Sequence, residues 1–447
     1  MAGDDVVVEG SGPDPDVGTA SVKGVGPDTL APAAVPVAMP EVVADSLGEY
    51  LRAWWVRIKG GDSGVLPILA GLVIIIVIFQ SQQSVFLSAG NIVNLLTQAA
   101  VFILLGLAEI FALVLSEIDL STGFVAGVGG MIIAELMADP VNWPWWSAVI
   151  IGLAATTAIG ALHGTLITRL RLPSFIVTLA GLLGWEGVLI WLADVDKGAV
   201  GGVVRINNSV VYNLVNGNMS VVAGWITLVV VVALYAAVTL NRSFRRRRQG
   251  LSTPPLSITI ATIVLVAVVG VALVAICSVN RGALVALEGV PWVVPFVLVI
   301  VLAWSWLFAR TRTGRYMYAI GANPEAARRA GINVAWIRTF GFMMCSLTAG
   351  LAGLVYESRL GSIATDIDGG TLVLYAVAAA VIGGASLFGG RGKPVHALLG
   401  GVVIAAVYNG LGLLGVTAAG QDMATALVLL AAVTVDSLVR RRGRTMA

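Results

Sequence analysis

The chain has 447 residues, 58% of them hydrophobic and only 12% charged, with a net charge of +2. An average soluble domain carries about 25% charged residues, so an ordinary soluble enzyme is excluded, and nothing in the balance suggests a nucleic-acid binder. The 53 glycines fit a polytopic membrane protein, in which small residues let helices approach closely. Cys277 and Cys345 both sit in apolar runs, which argues against a disulfide framework or a metal site.

Residues 1–45 carry eight acidic residues against one lysine, with scattered Pro and Gly, and read as a disordered acidic tail. Their start lacks the basic and apolar regions of a signal peptide. Residues 46–64 combine Trp54 and Trp55 with Arg52, Arg57 and Lys59, the composition of an interfacial helix. From 65 to 438 the chain reads as one transmembrane domain. Uncharged or nearly uncharged runs recur at about 65–80, 91–116, 122–138, 147–168, 173–193, 220–240, 256–279, 291–309, 339–357, 370–388, 396–416 and 423–438. Most approach the roughly 20 residues that a spanning helix needs. The expected fold is therefore an all-α bundle of about twelve spans. Residues 439–447 form a basic tail.

Arginine clusters orient the bundle by the positive-inside rule. They fall at Arg169 and Arg171, at Arg242 to Arg248, at Arg310 to Arg315 and at Arg440 to Arg444. With the N-terminus inside, an even number of spans precedes each cluster, so all lie in the cytoplasm and both termini do too.

Within that frame, a few motifs stand out. Glu109 lies well inside an apolar run and needs a partner or a water-filled cavity. In 114–123, VLSEIDLSTG, Glu117 and Asp119 end an apolar run. Asp119 or Ser121 could cap the next helix, within a break that lines a pathway. Residues 172–187 start a helix after Pro173; Glu186 near its outer end could line a pathway, but as a lone charge close to Asp194 and Asp196 it fits the water boundary better. The segment 310–338 is basic and punctuated by turns. A short helix is expected after Pro324, with Asn323 as N-cap, Glu325 in the first turn and Gly331 as terminator. Ala326 and Ala327 would give it a flat face for docking. The same segment could equally be a basic loop that only sets topology.

In 383–394, GGASLFGGRGKP, Gly392-Lys393 is not a phosphate loop, because Pro394 stands where Ser or Thr must bind magnesium. A tight turn built on Gly383, Gly384, Gly389 and Gly390 is expected instead. A faint internal echo links 115–130 to 382–401, each placing a serine and glycines between apolar runs, as in transporters built from two gapped repeats. Two sequon matches start at Asn207 and Asn218, His163 and His396 stand far apart, and no Ser-His-Asp pattern is evident.

Together the strings NIVNLLTQAA (91–100), SEIDLSTG (116–123), RLPSFIVTLAGLLGWEG (171–187), RTGRYMYAIGANPEAARRAGI (312–332) and AVIGGASLFGGRGKPVHALLGG (380–401) resemble the membrane permease subunit of bacterial sugar ATP-binding-cassette (ABC) importers of the ribose/xylose/galactose type. Glu117 stands where a small residue is usual, and Trp185-Glu186 where Arg usually precedes the Gly. An extra apolar hairpin at about 250–290 makes the layout look more like the D-xylose permease branch. The resemblance implies a homodimer of permeases, two cytoplasmic ATPase subunits that carry ATP and Mg, an extracytoplasmic sugar-binding protein, and no cofactor on this chain. It also implies that 316–337 is a cytoplasmic coupling helix, with Asn323, Glu325, Ala326, Ala327, Gly331 and Ile332 meeting the ATPase. Asn94, Gln98, Asp119, Ser121, Ser386 and Asn409 are the candidate pathway residues for a monosaccharide, D-xylose or a related sugar. The rival is an ion-coupled secondary transporter, with Glu109, Glu117 and Asp119 as its relay. A membrane-embedded enzyme would need convergent catalytic residues, and none is apparent.

Overall fold

A computed structural model describes residues 66–427, apart from 196–201, 252 and 284, together with Gly48, Arg52, Leu430 and Thr434. The expected tails at 1–45 and 439–447 and nearly all of 46–64 lie outside the described residues.

The described chain is helical almost throughout. In order it forms α1 (Leu66–Gln82), α2 (Ala89–Val114), α3 (Thr122–Met137), α4 (Trp145–Arg169), α5 (Ser174–Val195), β1 (Val203–Arg205) and α6 (Ser209–Asn216). Then come α7 (Val221–Arg248), α8 (Leu256–Cys277), α9 (Val293–Arg310), α10 (Arg312–Ala322), α11 (Pro324–Arg329), α12 (Val334–Leu360), β2 (Ser362–Ala364), α13 (Gly369–Ile382) and α14 (Pro394–Leu413). Residues 418–427 are helical as well.

Among the described residues, eight helices are long and apolar enough to cross a membrane: α2, α4, α5, α7, α8, α9, α12 and α14. Three of the twelve expected runs form shorter apolar helices, α1, α3 and α13. The 14 residues of α13 reach about 21 Å at 1.5 Å per residue, short of a bilayer core of about 30 Å. Non-helical backbone at 115–121 precedes α3, and more at 383–393 follows α13. Such backbone is tolerated at depth only where protein covers it, and both helices lie largely buried.

The centre of the bundle is α2, whose most apolar stretch is 94% buried. Most of its surface is apolar, as suits a helix surrounded by protein, with Asn91, Gln98 and Glu109 as buried polar exceptions. Around it, α12, α14 and α13 pack at close range, and α3 packs against α12, α4 and α5. On α4, Gly160 and Gly164 face α12, where an added Cβ would stand 2.3 Å from Phe342 O and 2.5 Å from Thr339 Cα. This is the glycine-every-fourth-residue seam that lets two helix backbones touch.

The outer layer differs. The apolar stretches of α7 and α8 are only 6% and 11% buried. The extra hairpin expected at 250–290 contains one helix, α8, folded back along α7, followed by an irregular loop. Arg281 pins that loop by donating to Asn218 Oδ1 and Gly289 O.

At one end of the bundle, β1 and β2 pair antiparallel in the register Val203↔Ala364 and Arg205↔Ser362. Asn208 caps α6 there, accepting from Val210 N and Val211 N, which gives part of the first sequon a structural role. The opposite end gathers 114–119, α10, α11 and 383–393.

Candidate functional site

The end that gathers α10 and α11 is built from local rules. Thr311 Oγ1 caps α10 by accepting from Gly314 N at 3.0 Å. Gly314, Met317, Ile320 and Gly321 are buried while Arg312, Arg315 and Tyr316 are exposed, so α10 lies half-sunk as an amphipathic helix. Asn323 ends it and caps α11, accepting from Ala326 N at 3.0 Å, with Pro324 in the first turn. Glu325 pairs with Arg328 at 2.9 Å and Arg329 at 3.3 Å. Gly331 at φ +80° closes a Schellman turn, in which Ile332 N bonds Ala327 O and Gly331 N bonds Arg328 O.

Two expectations need correction. Residues 316–337 are not one helix: α10 stops at Asn323, α11 has six residues, and α12 starts at Val334. The extended backbone of Asn323, at φ −160°, makes the break. Ala327 is not on a docking face, since it is only 4% exposed and belongs to the core. The outer face of α11 carries Glu325, Ala326, Arg328 and Arg329, all exposed. Ile332 is half-buried.

This segment is stitched to two turns. Ser116 Oγ lies 3.0 Å from Gly321 O and 3.2 Å from Phe388 O. Gly390 N donates to Val114 O at 3.0 Å. Tyr318 Oη donates to Gly392 O, and burial pushes that phenol up to about 12, so it stays a donor at any ordinary pH. Glu117 pairs with Arg338 of α12 at 3.1 Å. The glycine-rich turn has the conformation expected, with Gly384, Gly389 and Gly390 at φ +106°, +81° and +67°. The two echoing segments, 115–130 and 382–401, thus touch each other directly.

Between α2, α3, α4 and α5 lies a buried polar network. Thr122 Oγ1 donates to Glu109 Oε1 at 2.9 Å, supplying the partner Glu109 needs. Asp119 Oδ1 accepts from Ser121 N at 3.0 Å and Ser121 Oγ at 2.5 Å. It therefore braces the turn before α3, whose N-cap residue Ser121 makes no side-chain cap bond. Trp185 Nε1 donates to His163 Nε2 at 2.9 Å. Indole is a donor only, so Nε2 is unprotonated and Nδ1 faces Ser121 Oγ, 3.5 Å away, as the donor. The Ser, His and Asp come together spatially, but Ser121 gives its proton to Asp119 and receives from His163. That polarity cannot generate a nucleophile.

Near the β1–β2 end, residues from distant segments line a half-open cavity of about 250 Å³. Phe102, Tyr375 and Tyr408 form an aromatic wall, with ring centroids 5.3, 5.8 and 6.1 Å apart in edge-on pairs. Gln98, Arg359, Asp368 and Asp422 add polar groups to the lining. Tyr375 Oη donates to Asp422 Oδ1 at 3.0 Å.

Of the six pathway residues expected from sequence, only Gln98 lines this cavity. Asn94 accepts from Arg359, which does, at 3.3 Å. Asn409 is buried and accepts from Asn91 Nδ2 at 2.8 Å. Asp119 and Ser121 belong to the buried network, and Ser386 accepts from Phe388 N within the glycine turn. Sequence reading missed Tyr375, Tyr408 and Asp422, whose signal was a lone hydroxyl in two apolar runs and a carboxylate at the start of the last.

The profile of a family described as "Branched-chain amino acid transport system / permease component" matches residues 91–434. The chain belongs to that family. It is 31% identical over 393 residues to the xylose transport system permease protein XylH of Escherichia coli, covering 86% of this chain and 96% of that one. It is 29% identical over 371 residues to the D-allose transport system permease protein AlsC of the same organism, covering 83% and 90%. To its ribose import permease protein RbsC the identity is 29% over 388 residues, covering 87% and 96%. No solved structure matches the chain at comparable stringency. The apolar helices and these relatives make it an integral, multi-pass membrane protein, a permease component of a transport system.

Proposed function

We propose that this chain is the transmembrane permease subunit of an ABC importer that takes a monosaccharide, D-xylose or a related sugar, across the bacterial cytoplasmic membrane. Three relatives named for sugars support the cargo class, each aligned along nearly its whole length. The domain would run from 65 to 438. The observation that carries the mechanism is the placement of α10 and α11. Together they form an exposed, charged segment bonded to the turns before α3 and α14. A force applied to α11 has a short path to both turns.

Arginine placement supports the sidedness. The Arg310 to Arg315 cluster flanks α10, Arg169 ends α4, and Arg245 to Arg248 end α7. With these in the cytoplasm, α11 faces a soluble ATPase and the aromatic cavity faces outward. Nucleotide and Mg would bind the partner ATPase. An extracytoplasmic binding protein would deliver the sugar, and a second permease copy would complete the pathway.

The rival, an ion-coupled transporter, gains one observation, the buried Glu109 and Asp119. It loses Glu117, which is tied to Arg338. The test is reconstitution of the chain with its ATPase and binding protein in liposomes. ATP-dependent uptake of an aldose is expected, with no uptake under an ion gradient alone. Ion-driven uptake without the ATPase would overturn the reading.

A further inference from the structure

The aromatic cavity is assembled from Gln98 of α2, Arg359 at the end of α12, Asp368 and Tyr375 around α13, Tyr408 of α14 and Asp422 of the helical stretch 418–427. We propose that it is a transient receiving site for a neutral, polyhydroxylated ring such as an aldose. This rests on the importer reading above and names the place where the sugar first meets the membrane subunit.

Four observations carry it. The volume of about 250 Å³ lies just below the ~300–1,000 Å³ of drug-sized pockets, a size for one small ring. The edge-on aromatic wall offers apolar surface to the C–H face of such a ring. The opposite chemistry is a mixed set. Asp422 has one oxygen engaged by Tyr375, Asp368 has one engaged by Thr371 N at 2.9 Å, and Arg359 has one N–H engaged by Asn94. Each therefore keeps hydrogen-bonding capacity in reserve. Finally, Gln98 is only 8% exposed, and its amide oxygen has no hydrogen-bond partner among the described residues. A buried amide without a partner is costly, and a ligand hydroxyl would satisfy it.

The chief rival ligand is an amino-acid zwitterion, for which Arg359 and a carboxylate could serve. A zwitterion with an aliphatic side chain would spend its charged groups on Arg359 and a carboxylate and offer no hydroxyl to the Gln98 amide oxygen in the lining. A site built to hydrogen-bond hydroxyls rejects a ligand that lacks them. The neutral polyol is therefore the better fit.

The test uses a cysteine at Ala418, which lines the cavity and is exposed. Both native cysteines are fully buried, so background labelling is low. Full-length Ala418→Cys in nanodiscs is treated with a membrane-impermeant maleimide in the presence of D-xylose, D-ribose, L-leucine or buffer. An aldose should slow labelling several-fold and leucine should not. Gln98→Leu or Asp422→Asn in the same background should abolish that protection. In the reconstituted importer, the same substitutions should raise the half-saturating sugar concentration by about tenfold, as the loss of one hydrogen bond implies. Protection by leucine alone, or no protection by any ligand while the wild-type importer transports sugar, would overturn this site and leave the importer reading intact. Failure of the wild-type assembly to import any sugar would instead remove the reading beneath it.

Discussion

The two ends of this bundle are made in opposite ways. At the end that holds α10 and α11, main-chain atoms do most of the joining: Gly321 O, Phe388 O, Val114 O and Gly392 O all accept bonds across segments. At the cavity end, side chains do the work: three rings, a guanidinium and two carboxylates. Main-chain joints fix position whatever the ligand, which suits the transmission of movement. Side-chain sites recognise chemistry. Damage at the first end should therefore uncouple the machine, and damage at the second should alter what it carries.

The largest effect should come from Gly389→Val. At φ +81° an added Cβ would stand 1.7 Å from Ser116 Oγ, so the joint between the two echoing turns cannot close. Strain plus clash should cost on the order of 2–4 kcal/mol. Thermal unfolding of the purified chain should fall accordingly, and uptake should vanish. A stable, fully active Gly389→Val would break the idea that this joint is rigid.

Gly331→Val should be milder for folding and equally severe for transport. An added Cβ meets open space there, so the cost is the left-handed backbone alone, about 1–2 kcal/mol. The variant should insert into the membrane yet lose sugar uptake and the response of the ATPase to loaded binding protein. Glu325→Lys removes two exposed pairs worth about 0.3–0.5 kcal/mol each and a helix-end charge worth about 0.3–1 kcal/mol. Together these come to about 1–2 kcal/mol at most, no more than the cost of Gly331→Val, so the variant should still insert and a complete loss of uptake must arise at an interface. Normal, binding-protein-stimulated uptake by both variants would reduce the segment to a topology signal.

Tyr375→Phe should produce the converse signature. It removes one hydrogen bond to Asp422, about 0.5–1.5 kcal/mol, and should raise the half-saturating sugar concentration a few-fold while leaving ATPase stimulation unchanged. Loss of stimulation instead would erase the distinction between the ends.

The smallest perturbation tests sidedness alone. Cysteines at Asn213 on α6 and at Gln249 after α7, both exposed, should react with impermeant thiol reagents from opposite sides of the membrane. Gln249→Cys should react from the cytoplasm. Labelling from one common side would invert the placement of α7.

The same contrast explains what the sequence revealed. The end that holds α10 and α11 was legible because its signals are local: Asn323 and Pro324 start α11, and Gly331 ends it within eight residues. The glycine turn at 383–393 was legible for the same reason. Where the reading slipped, packing had decided. Ala327 turned inward because α11 is too short to present both alanines outward while resting on the core. The single-helix reading of 316–337 overlooked that the cap at Asn323 breaks α10 as it starts α11. The cavity was illegible because Gln98 and Asp422 are far apart in sequence and meet only through the packing of α2, α13 and α14. Six scattered polar residues could be guessed as a pathway, but no spacing rule says which of them share a wall. The network of Asp119, Ser121 and His163 escaped notice likewise, since His163 joins it from another helix.

The most direct test of the account is cross-linking from the two ends in intact cells. A photoreactive cross-linker placed on Ala326→Cys, an exposed position on α11, should capture the nucleotide-binding ATPase subunit. The same probe on Ala418→Cys, beside the cavity, should capture the extracytoplasmic binding protein and never the ATPase. Capture of the ATPase from Ala418, or of no nucleotide-binding protein from Ala326, would contradict the assignment of the two ends.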